Sequence, residues 1–139
     1  MNELPKTNLI DRAAAALEPL GLALRMMKQP RGVPPLPAAA WVRVAKGKEH
    51  IDYLAEARRT VTPATLGALV MQLRHMAGTA GRPALLVTDY LTPQVAEALR
   101  KQQQQFADAA GNAYLEGPGL LVYVTGRKLT NRQTAPRAN

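Results

Sequence analysis

Residues 62–93, TPATLGALVMQLRHMAGTAGRPALLVTDYLTP, decide the fold. Thr62 offers a side-chain acceptor ahead of Pro63, and a proline in the first helical turn lacks only an N–H that has no intrahelical partner anyway. Leu66, Leu69, Val70, Leu73 and Met76 then recur at helical spacing, and Gly78 is expected to stop the run. Ala84, Leu85, Leu86 and Val87 form an unbroken apolar string, as in a strand buried on both faces. Thr92-Pro93 repeats the helix start, with Val95, Ala96, Leu99 and Phe106 as the apolar side of the next helix. A buried strand between two such helices predicts strand–helix–strand units and an α/β domain.

Upstream, residues 41–44 alternate apolar and polar, residues 46–49 (KGKE) read as a turn, and 51–58 form the hairpin partner. Strands 51–58 and 84–87 are expected near the centre of the sheet. A first helix is predicted over 8–18, capped by Thr7 or Asn8 and ended by Pro19 and Gly21, with a short strand in 22–27. Four prolines and a glycine make 29–37 a loop. Downstream, 113–115 and 120–124 are the last strands, and the glutamines at 102–105 read as the solvated end of a helix. Hairpins early and strand–helix–strand units late predict one mixed sheet flanked by helices over 1–128, with 129–139 as a flexible basic tail.

Composition narrows the chemistry. The chain has 139 residues, 18 Lys+Arg against 10 Asp+Glu, a formal net charge of +8 and no cysteine. The absence of Cys excludes disulfides, thiolate zinc sites and a cysteine nucleophile. His50 and His75 are the only histidines, too few for a histidine-rich metal cage. No apolar run nears the roughly 18 residues that span a bilayer, and two acids precede any apolar stretch at the N-terminus, so no signal peptide or membrane partner is expected. A cytoplasmic protein is the default expectation. Arg25, Lys28, Arg31, Arg43, Lys46 and Lys48 lie between Glu18 and Glu49 with no acid among them, and Arg127, Lys128, Arg132 and Arg137 follow Glu116 in the same way. Such a field suits nucleic acid or an acidic partner, against the plainer alternative of a solvated basic surface.

Glu56 and Arg58, two apart on a strand, leave the same face. An acid and a cation at that spacing suit metal-assisted phosphodiester hydrolysis, and they equally make an ion pair. Asp52 shares the face but lies about 13 Å along the strand at ~3.3 Å per residue, too far to share a metal directly. A metal site would need Glu56 to converge with Asp52, Glu18 or Asp89. Asp89 ends the buried strand, where α/β domains place functional groups and where Asp also stabilises turns. Gly111-Asn112 tolerates positive φ and predicts a tight turn, with Asp108 placed to accept its hydrogen bonds. Neither a phosphate-cradling glycine loop nor a Ser/His/Asp elbow is present.

Taken together, Tyr53-Leu54-Ala55-Glu56-Ala57-Arg58, the run Leu86-Val87-Thr88-Asp89-Tyr90-Leu91-Thr92-Pro93, the string Phe106-x-Asp108-x-x-Gly111-Asn112-Ala113-Tyr114-Leu115 and Gly126-Arg127-Lys128 resemble one family. It is the nuclease-like domain of AbiEi-type antitoxins, bacterial transcriptional regulators of type IV toxin–antitoxin (abortive infection) systems. The resemblance runs over about 17–128, and the Phe106–Tyr114 string carries most of its specificity. It implies a fold similar to the restriction-endonuclease-like, PD-(D/E)xK nucleases, a mixed sheet flanked by helices. Their (D/E)xK triplet would fall on Glu56-Ala57-Arg58, with Arg, permanently protonated, where the Lys belongs. Their first acidic ligand would fall on strand 38–44, which has no acid. These departures imply no catalytic residues and no resident metal. In longer members the Gly-Arg-Lys segment leads into a winged-helix DNA-binding domain; here the sequence stops at Asn139, so promoter repression is not carried over.

The leading expectation is a non-catalytic nuclease-like module that binds nucleic acid, a cognate toxin or another partner. Arg43, Lys46, Lys48, Arg58 and Arg59 are the nucleic-acid candidates. The alternatives are a Mg²⁺-dependent nuclease and a pure interaction module that dimerises through an exposed strand or the Trp41 region.

Overall fold

The computed structural model describes residues 6–36 and 40–129. Residues 37–39 and 130–139, which include nearly all of the expected tail and part of the strand expected to lack an acid, lie outside it. Seven strands form one sheet in sequence order: β1 (Ala23–Met27), β2 (Ala40–Lys46), β3 (Glu49–Arg58), β4 (Ala84–Thr88), β5 (Gln105–Asp108), β6 (Ala113–Gly117) and β7 (Leu120–Val124). The sheet is mixed. β3, β4 and β5 pair in parallel, and every other neighbouring pair is antiparallel. The two parallel steps are bridged by α2 (Pro63–Ala80) and α3 (Pro93–Lys101), which share one apolar core, as successive right-handed crossovers in one direction require. The first helix, α1 (Lys6–Leu17), packs on the opposite face. The result is an α/β domain with helices on both faces of a mixed sheet.

β4 is buried at every residue, which accounts for its unbroken apolar run. β3 divides its side chains between two cores. Ile51, Tyr53, Ala55 and Ala57 meet Leu9, Ile10, Ala13 and Leu17 of α1, while Leu54 meets Leu69, Val70 and Leu73 of α2. Leu115, Leu120 and Val122 of the last hairpin join the α1-side core, so the sheet's far end closes over it. Each fully buried Leu or Ile contributes about 1.5–3 kcal/mol relative to exposure. Both helix starts form as expected. Thr62 and Thr65 make a reciprocal capping box, and the Thr92 hydroxyl accepts from Val95 N at 3.2 Å.

Four expectations need correction. α1 spans Lys6–Leu17, so Thr7 and Asn8 lie within the helix rather than capping it. α2 runs through Gly78 and ends at Gly81, whose φ of 66° closes the helix with its N–H on Ala77 O. A glycine inside a helix costs only about 1 kcal/mol relative to Ala, less than the packing of Met76 and Ala80 returns. Phe106 belongs to β5, not α3; the helix stops at Lys101, Gln103 takes a φ of 59°, and the chain reverses into a strand. The Trp41 region is no exposed interaction surface, because Trp41 is buried in the α2-side core with Val33 and Leu36 packed against that core.

The glutamine run is a fifth correction, solvated only in part: Gln103 is exposed, whereas Gln104 and Gln105 bind other elements. Gln104 is buried and donates to Ala84 O at 3.0 Å, tying the end of α3 to β4. The side-chain oxygen Oε1 of Gln105 accepts from the hydroxyl of fully buried Tyr53 and from Glu116 N at 2.8 Å. Burial pushes the Tyr53 phenol well above its ordinary value, so it stays a donor. Gln105→Ala is expected to lower stability by about 1–3 kcal/mol in urea unfolding, the cost of a buried hydroxyl left without an acceptor. In a Tyr53→Phe background the same change should cost clearly less; equal costs would mean that the bond contributes nothing.

Candidate functional site

Glu56 and Arg58 sit on the last turns of the pleat of β3, on the face that α2 covers. Glu56 is buried, and its Oε2 lies 2.9 Å from Arg58 Nε. Arg58 also donates through Nη2 to Gln72 Oε1 of α2 at 2.9 Å, so one guanidinium bridges strand and helix. Its side chain remains 39% exposed and opens on a cavity of about 360 Å³ lined by Thr60, Ala64, Thr65, Ala68, Leu69 and Gln72. A planar fork with part of its edge free, among two threonines and a glutamine, can receive a phosphate in two-point contact. Gln72 was not legible in the sequence, since a polar residue on the flank of a helix carries no signal of what it faces.

The other candidate acids are engaged elsewhere. Asp52 accepts from Arg43 Nε at 2.7 Å and Nη2 at 3.0 Å across the β2–β3 pair. Asp89 lies 2.6 Å from Arg12 Nη2, so this ion pair joins α1 to the end of β4. Glu18 is in the turn after α1, the helix of the opposite face. Among the described residues no three Asp, Glu or His side chains converge on a point that could hold a metal ion.

Asp108 is the most densely used polar group in the chain. It is fully buried at the end of β5. Its Oδ2 accepts from Leu91 N at 2.8 Å and Asn112 Nδ2 at 2.9 Å, and its Oδ1 from Ala110 N at 3.0 Å and Asn112 N at 2.9 Å. Burial pushes its carboxyl above the ordinary value, while these four donors pull it down. Asn112 in turn holds Arg127 by both backbone groups, accepting from its N at 2.8 Å and donating to its O at 3.0 Å. Gly111, at φ 96°, lets the intervening turn close, and a side chain there would press on Ala16 O of α1. Phe106 and Tyr114 pack at a tilt of 55° in the same region, with centroids 6.1 Å apart. The Phe106–Tyr114 string is thus a folding device that fixes where the chain leaves β7.

The five basic candidates do not form one patch. Lys46 and Lys48 flank the β2–β3 turn, whereas Arg58 ends β3 and Arg59 follows it, about 30 Å away at ~3.3 Å per residue. Arg43 lies between them in its pair with Asp52. Among the described residues no helix is long and apolar enough to cross a membrane. Comparison of the chain with protein-family models, with curated proteins and with solved structures finds no match.

Two outcomes follow from this geometry. Asp108→Ala is expected to cost about 3 kcal/mol or more in urea unfolding, because each buried N–H left without an acceptor costs ~1–3 kcal/mol. Asn112→Ala should cost less and speed hydrogen exchange at the Arg127 amide; unchanged exchange there would refute the clamp. The hydrogen bond from Arg43 holds the Asp52 carboxyl below its ordinary value. The pair therefore adds stability above the unfolded-state value near 4 and loses it as pH falls through the lower folded value, by no more than about 1 kcal/mol for so exposed a pair. Arg43→Gln should remove that part of the acid-side slope in urea titrations below neutral pH.

Proposed function

We propose that this chain is a nuclease-like module, akin to the AbiEi-type antitoxin regulators that its sequence resembles, which binds nucleic acid without cutting it. The observation that carries this reading is the Glu56–Arg58–Gln72 bridge. The expected (D/E)xK triplet lies at the end of a central strand, and its cation turns half-exposed toward a cavity. The acid of the triplet is neutralised by that same cation. A restriction-endonuclease-like core is the finer fold assignment that accompanies the reading, supported by the mixed sheet with helices on both faces and by the triplet's place on β3.

The donor set does not fit a divalent cation. Hydrolysis assisted by Mg²⁺ needs at least two oxygen ligands at one point and a group to orient the nucleophile. Glu56 is held by Arg58, Asp52 is held by Arg43, and β2 carries Trp41, Val42 and Arg43 where a partner acid would have to be. An arginine at that position repels a divalent ion. A cognate toxin is a further partner implied by the resemblance. A protein-interaction role has its own support in the edge strand β7, where Leu121 and Tyr123 are 72% and 43% exposed.

Fluorescence anisotropy with a labelled DNA duplex at low salt tests the reading. Binding is expected to be indifferent to sequence and to weaken steeply with salt, with Arg58→Gln flattening the log–log slope by about 0.9 for one lost phosphate contact. No binding at low salt would leave the interaction module as the better reading. Incubation with Mg²⁺ or Mn²⁺ should leave the duplex intact; cleavage that disappears in Glu56→Gln would establish a nuclease instead.

A further inference from the structure

Beyond the C-terminal end of α2, the α2-side face of the sheet is bare. Leu54 N donates to Pro83 O at the α2–β4 connection, so residues 49–53 of β3 project past the helix together with their partners on β2 and β1. Alternation puts Arg25, Arg43 and Asp52 on this face, and the register lines them up as direct neighbours across three strands. Arg82 precedes Pro83, the residue whose carbonyl takes Leu54 N, so it borders this face from the α2–β4 connection, half-buried and donating through Nη1 to Gly81 O at 3.2 Å. Arg43 thus grips the one carboxylate of this face, and Arg25 stands beside Arg43 on the next strand.

Arg25 faces Arg43 directly across an antiparallel pair, an arrangement that costs stability unless an anion lies between them. Asp52 already binds Arg43 by both its oxygens, and Arg25 is in none of the ion pairs among the described residues. A surplus of positive charge fixed in a row on a rigid sheet is electrostatically unfinished. On the same face of the same strand, Arg58 lies six residues from Asp52, about 20 Å at ~3.3 Å per residue. A small anion cannot satisfy both places at once; an extended polyanion with closely repeated charges can. No Phe, Tyr or Trp ring is exposed on this face of β1–β3, Trp41 being buried, so the stacking platform that single strands use is lacking.

We infer that the bare β1–β2–β3 face is a second contact for the phosphate backbone of a nucleic-acid duplex, with Arg25 and Arg82 as its donors, Arg43 as their spacer and Asp52 as a brake. The inference rests on the nucleic-acid reading above and specifies its substrate class as double-stranded, gripped at two places on one face of β3. Asp52 limits affinity by occupying Arg43. Removing that carboxylate frees a third guanidinium for phosphate.

The test measures binding of a short blunt DNA duplex, and of one of its strands alone, against salt for the wild type and for Arg25→Gln, Arg82→Gln, Asp52→Asn and Arg58→Gln. Melting curves monitor folding. The duplex is expected to bind more tightly than the single strand. Arg25→Gln and Arg82→Gln should each flatten the salt slope by about 0.9, in addition to the change from Arg58→Gln, because sites this far apart act independently. Asp52→Asn should bind several-fold more tightly, a gain that misfolding cannot imitate. If Arg58→Gln alters the slope while Arg25→Gln and Arg82→Gln do not, the second contact is refuted and the nucleic-acid reading survives. If the wild type binds no duplex at low salt, both fail. Polyglutamate that competes as well as the duplex at equal charge would assign the face to an acidic protein and overturn the inference.

Discussion

A single carboxylate, that of Asp108, holds together segments that are distant in the chain. Through it the loop before α3, the turn between β5 and β6 and, by way of Asn112, the segment after β7 are fixed to one point. A buried charge of this kind is tolerated only when its lone pairs are filled, and here each oxygen takes two donors. The same point sets the height at which β5 ends beside β4 and the direction in which residues 126–128 leave the sheet.

β3 is the second organising element, because it contributes to everything else. Its odd-numbered residues from Ile51 to Ala57 build the α1-side core, and its even-numbered ones carry Asp52, Leu54, Glu56 and Arg58 along the other face. Only the middle of that second face is covered, by α2. The strand therefore presents charge on both sides of the helix, one group reaching Gln72 and the other reaching Arg43.

The charge pattern separates structural ion pairs from unsatisfied cations. Arg12 with Asp89, Arg43 with Asp52, Arg58 with Glu56 and Arg100 with Glu97 are pairs; the first two link different elements or neighbouring strands, and the last two lie within β3 and α3. Every candidate metal-ligating acid except Glu18 is paired with an arginine.

The sequence alone determined the elements whose signals are local. The Thr-Pro helix starts, the all-apolar β4, the parity that puts Glu56 beside Arg58, and the Gly111-Asn112 turn with Asp108 as its acceptor are all consequences of spacing and side-chain chemistry within a few residues. Tertiary structure decided whatever depends on which distant groups meet. Phe106 stands seven residues beyond Leu99, a spacing that a helix and a later strand share, and only pairing with β4 made it β5. Gly78 stayed helical because its neighbours Met76 and Ala80 pack against the sheet. The glutamines at 104 and 105 look solvated in isolation, yet Ala84 and Tyr53 bury and bind them. Gln72 beside Arg58 and Arg25 opposite Arg43 exist as pairs only through register and helix placement. Local pattern fixes which element a segment forms, whereas the partner of a polar side chain is set by the long-range packing that brings it there.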